Sequence, residues 1–71
     1  MNIEMQPVQS THIAEVGYDR ESQTLALKYR SGGVYHYKKV PEDVASALVS
    51  AKSIGAYVQA NILYKYHFTK Q

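Results

Sequence analysis

Seventy-one residues hold one domain and leave no room for a second, and a chain this short buries only about 60% of the surface its unfolded form exposes. The absence of cysteine excludes disulfides and thiolate zinc sites as reinforcement of a core that supplies about 3–5 kcal/mol at this size. The net charge of +2 does not by itself call for a polyanion, no apolar run approaches the roughly 20 residues of a membrane span, and MNIEMQPVQS lacks the features of a signal peptide; the expectation is a soluble protein of the cytoplasm, bacterial or, if phage-encoded, of the host.

Residues 1–7 read as a loose N-terminus, with Pro7 opposing early regular structure. A first strand is expected near 11–18, where β-branched and aromatic residues lead to Gly17-Tyr18-Asp19, followed by the polar turn 19–23. Residues 24–30 alternate: Leu25, Leu27 and Tyr29 on one face, Ala26, Lys28 and Arg30 on the other. That is the period of a half-buried strand. Residues 34–39 form a third strand, and Ser31-Gly32-Gly33 suits a three-residue hairpin loop with a left-handed glycine. In that register Tyr29 faces Tyr35, Leu27 faces Tyr37, Lys28 faces His36 and Arg30 faces Val34. Pro41 then opens a helix as its first residue, with Glu42 and Asp43 at the positive end of its dipole. Val44, Ala45, Leu48, Val49 and Ala51 share its broad apolar face. Ser53 caps a second helix reaching about Lys65, in which Gly55 permits close packing. The segment 64–68 alternates like a strand.

The resulting fold class is α+β, in the order β-β-β-α-α: a three-stranded antiparallel sheet followed by two helices packed on one face. Helices on one side leave the other side of a sheet wet. Tyr35 and Tyr37 lie with Leu25, Leu27 and Tyr29 on the only strongly apolar side, so they read as core or half-buried residues. Lys28, Arg30, His36 and Lys38 then project from the open face as a basic patch. Such a patch suits phosphates, which demand charge and no particular base sequence; it equally suits an ordinary solvated sheet.

Charge drifts along the chain. Residues 1–27 carry Glu4, Glu15, Asp19 and Glu21 against Arg20 alone, whereas Lys28, Arg30, Lys38 and Lys39 follow without an acid. Beyond Asp43 the charged side chains are Lys52, Lys65 and Lys70. This asymmetry can create a local positive field.

Catalytic chemistry is not expected. His12, His36 and His67 lack close metal-ligand spacing. Ser10-Thr11-His12 has no evident orienting carboxylate, and Ser10 and Thr11 read as polar groups tying down the strand start. Glu42 and Asp43 read as helix-terminal acids. No phosphate-binding glycine loop appears, and no cofactor or metal is implied.

In order along the chain, Ser10-Thr11 before Ile13, Val16-Gly17-Tyr18-Asp19, Leu25, Leu27, Tyr29, Gly32, Tyr35 and Tyr37 form a spaced pattern. Val40-Pro41, Leu48, Ala51, Ser53, Gly55, Tyr57, Asn61-Ile62 and Tyr66 complete it. With this pattern the chain resembles the KTSC domain family, small domains found at the C-terminus of some lysyl-tRNA synthetases and as stand-alone bacterial and phage proteins. The tyrosine-x-tyrosine motif of that family matches Tyr35 and Tyr37, while Val58-Gln59 departs from a commoner aromatic-asparagine pair. The resemblance implies RNA binding as an association with the synthetase context and assigns no site.

Three functions compete. The first is a small nucleic-acid-binding domain using Lys28, Arg30, His36 and Lys38, with Tyr18, Tyr57 and Tyr66 at the margin. The second is a protein-interaction module, such as a phage or prophage factor that inhibits a host protein or forms an oligomer. Its signal is the aromatic tail Tyr64, Tyr66 and Phe68. The third is an oligomer that sequesters a small anionic nucleotide between subunits.

Overall fold

In the computed structural model, which describes residues 3–71, four strands precede two helices and a fifth strand follows them. They are β1 (Met5–Pro7), β2 (Ile13–Asp19), β3 (Thr24–Tyr29), β4 (Val34–Tyr37), α1 (Glu42–Ser50), α2 (Ile54–Asn61) and β5 (Phe68–Lys70). The strands form one antiparallel sheet in chain order. The expected sheet of three strands is therefore extended at both edges. Met5–Pro7, expected to be loose, pairs with β2, and the tail returns to pair with β4.

Alternation on β3 and β4 sorts the side chains as expected. Leu25, Leu27 and Tyr37 are buried against the helices, together with Leu48, Val58 and Ile62. The hairpin register differs: Leu25 pairs with Tyr37, Leu27 with Tyr35, Ala26 with His36 and Lys28 with Val34. The loop is Arg30-Ser31-Gly32, closed by hydrogen bonds from the Tyr29 N–H to the Gly33 carbonyl and from the Gly32 N–H to the Tyr29 carbonyl, with Gly32 at φ 111°. Moving the loop back by one residue shifts each pairing by two, and a two-residue slip preserves the faces.

On β2 a bulge between Ile13 and Glu15 does the opposite service. Ile13 and Val16 are three residues apart and would point to opposite faces of a regular strand. The extra residue lets both enter the core, where each is buried.

Pro41 is the cap of α1 rather than its first helical residue, and Glu42 and Asp43 occupy the first turn. Ala45 and Leu48 are buried and Val44 packs against the core, but Val49 is 54% exposed, off the expected face. At α2 the Ser53 Oγ accepts from the Ala56 N–H at 3.2 Å. Ser53→Ala should lower stability by about 1 kcal/mol, read as a lower urea midpoint; Ser53→Asp should keep it. A Cβ at Gly55 would meet the His12 ring at 3.4 Å and Ser10 Oγ at 3.7 Å, ordinary van der Waals contacts, so the helix packs closely against this segment without space alone demanding glycine. The helix stops at Asn61, four residues before the expected end. Among the described residues, no helix is long and apolar enough to cross a membrane.

Candidate nucleic-acid interface

The sheet face expected to be open is covered at its centre. Gly17 and its partner Ala26 are both buried. A Cβ at Gly17 would lie 2.8 Å from the Ile3 side chain and 2.8 Å from Met5 Sδ. The N-terminal segment thus lies over the middle of the face.

Lys28 is half-buried there, between Glu15 on β2 and Val34 on β4. His36 stands between Ala26 and Thr69. Arg30 belongs to the hairpin loop, and its Nε donates to the Ser10 carbonyl at 2.7 Å. Lys38 lies beyond the end of β4 in different company. Of the four basic residues, Lys28 and His36 thus lie on the neighbouring strands β3 and β4, Arg30 in the hairpin loop and Lys38 just past β4.

Lys38 joins a cleft built by two segments distant in sequence. Beyond β4 the chain turns at Lys39, whose φ is 59°. The Lys38 N–H donates to the His67 carbonyl at 2.8 Å, and the Val40 N–H donates to the Gln23 carbonyl at 2.8 Å. After α2 the chain turns again at Tyr64, φ 69°. Positive φ is uncommon outside glycine and tends to cluster at functional segments. Between the two turns lies a cleft of about 630 Å³ lined by Lys38, Lys39, Lys65, Tyr66, His67, Phe68 and Thr69. Three lysines thus line it with no acidic residue among the lining. A shallower depression of about 220 Å³ adds Tyr64, which is 99% exposed.

Phe68 lines the same cleft. Its ring centroid is 5.4 Å from that of Tyr35 and 5.7 Å from that of Tyr37. Beyond it an apolar cleft of about 320 Å³ is lined by Tyr29, Ser31, Tyr35, Tyr37, Leu63 and Phe68. Tyr37 is buried as expected, and its hydroxyl is 2.9 Å from that of Tyr29. Burial first, and then the hydrogen bond to Tyr29, push the Tyr37 phenol well above its ordinary pKa. Tyr35 is half-buried, with Lys70 Nζ 6.0 Å from its ring centroid.

The tyrosines expected at the margin divide. Tyr18 donates to the Val40 carbonyl and Tyr57 to the Val44 carbonyl at 3.4 Å, so both phenols serve the packing. Burial, with Glu42 next, raises the Tyr18 pKa. Tyr66 packs against the core and also lines the basic cleft. Lys39, Lys65 and His67 were not expected in a site. For Lys65 and His67 the signal was the interleaving of Tyr64, Tyr66 and Phe68 with Lys65, His67 and Lys70.

A second cleft, of about 380 Å³, lies near Ser10, His12, Lys52 and Ser53. Ser10 Oγ accepts there from the backbone N–H groups of His12 and Ile13, each at 3.3 Å, the strand-start role expected of it. Among the described residues, no three of His, Cys, Asp and Glu converge to hold a metal ion.

A family model described as the KTSC domain matches residues 9–66. A protein of Tsukamurella paurometabola is 44% identical over 54 residues, covering 76% of this chain and 81% of that protein. A lysine–tRNA ligase of Nostoc punctiforme is 38% identical over 56 residues, 79% of this chain but only 10% of the ligase. The crystal structure of a KTSC domain protein from Yersinia pestis matches with a TM-score of 0.96 at 33% identity, over 99% of both chains. Sequence and fold agree along nearly the whole length, and the chain belongs to the KTSC domain family.

Proposed function

We propose that this domain is a non-catalytic module that binds single-stranded RNA along the basic cleft. The observation that carries this reading is the convergence of Lys38, Lys39 and Lys65 with Tyr66 and Phe68 in one depression. Ammonium groups contact phosphates without regard to sequence, and exposed rings offer bases a stacking surface. The matching segment in a lysine–tRNA ligase, a protein named for its action on tRNA, adds support.

A salt titration tests the reading. If three lysines each displace a counterion from a single strand, log affinity should fall with log salt at a slope of about −2. From roughly 50 to roughly 200 mM salt, affinity for mixed RNA oligomers should drop about twentyfold, as read by isothermal titration. No binding at low salt would remove the proposal. The protein-interaction reading would then lead, favoured by the exposure of Tyr64 and Phe68, and a concentration-dependent mass would support it.

A further inference from the structure

Phe68 lines three depressions at once: the basic cleft, the smaller one that includes Tyr64, and the apolar cleft with Tyr35 and Tyr37. Although it contacts both tyrosines, Phe68 remains 55% exposed, and its ring plane is tilted 56° from Tyr35 and 43° from Tyr37. Neither tyrosine therefore stacks flat upon it.

Resting on the RNA reading above, we infer that one base of the bound strand enters the apolar cleft and stacks on Phe68, while a neighbouring phosphate lies on Lys38 and Lys65. Charge complementarity selects this occupant. An aliphatic or aromatic side chain of a protein partner would use the apolar cleft alone. Here cations accompany it: Lys38 and Lys65 line the basic cleft that shares Phe68, and Lys70 Nζ lies 6.0 Å from the Tyr35 ring centroid. That arrangement matches an apolar ring carried on a polyanion. A volume of about 320 Å³ is at the lower end for small-ligand sites, in keeping with one ring system. Stacking requires an unpaired base, so single strands are favoured over duplex. With Ser31 and tyrosine hydroxyls as the polar side-chain groups of the lining, the site accepts bases with little sequence preference.

The test compares an oligouridine RNA with an abasic strand of equal length and equal phosphate number, by fluorescence anisotropy. Wild-type protein should bind the base-bearing strand about tenfold more tightly. Phe68→Ala should bring that strand down to the abasic level while leaving abasic binding unchanged. Phe68→Trp should keep the preference, and it carries the test if the alanine variant does not fold. Equal wild-type affinity for both strands overturns base stacking and leaves the phosphate reading standing. A folded Phe68→Ala that keeps the preference, or a folded Phe68→Trp that loses it, also overturns the stacking site. Failure to bind either strand overturns both inferences.

Discussion

Replacing Tyr37 by alanine is expected to unfold the domain at room temperature. Tyr37 is 2% exposed, paired with Leu25 on one side and Phe68 on the other. Its ring joins the sheet to the helices and anchors the returning strand. Truncating a buried aromatic costs about 3–5 kcal/mol, and a core of this size supplies about the same. Near-UV circular dichroism and a urea titration measure the outcome. A cooperative transition close to that of the wild type would contradict the central role of this ring.

Tyr37→Phe separates the ring from the phenol. It keeps the packing and removes the hydrogen bond to Tyr29, a loss of about 1 kcal/mol. The fold holds the neutral phenol, and the folded pKa is raised above the ordinary value of 10.0. Stability from this group is therefore complete below pH 10, where the unfolded tyrosine is still protonated, and declines as pH rises above it. The phenylalanine variant should lack that share of the alkaline loss.

Much of the fold was legible because alternation is a local property. Residues 24–29 and 34–37 display period two, and parity alone placed Leu25, Leu27 and Tyr37 inside. Register was less legible, since two adjacent three-residue windows around Gly32 both offer a left-handed glycine. The edge strands were barely legible: the first was read as loose, and the strand-like alternation of 64–68 meets the observed β5 only at Phe68. Met5–Pro7 and Phe68–Lys70 are three residues each, too short to show a period, and they form through pairing with distant strands. The same edges explain the site. Covering Gly17 and Ala26 changed the meaning of the expected open face. The hydrogen bond from Lys38 to His67 brought Lys38 beside Lys65, a meeting that no local spacing encodes.

Reversing two charges in the basic cleft should abolish RNA binding while leaving the fold intact. Lys38 and Lys65 are exposed, and neither belongs to the buried core. Lys39 is left alone, since its positive φ makes any substitution there a backbone experiment as well. Lys38→Glu with Lys65→Glu takes the net charge from +2 to −2, each reversal contributing −2. Losing two charge-assisted contacts, at about 1.5 kcal/mol each, weakens binding about a hundredfold, and the new carboxylates add repulsion. A control must carry the same net charge at another place. Arg20→Glu with Lys52→Glu does so, at the cost of one exposed ion pair, Arg20–Glu42, worth about 0–1 kcal/mol. If the cleft is the site, the control should lose far less affinity than the cleft variant at the same salt, with both melting normally. Equal losses in the two variants would mean that overall charge, and not this cleft, attracts the RNA.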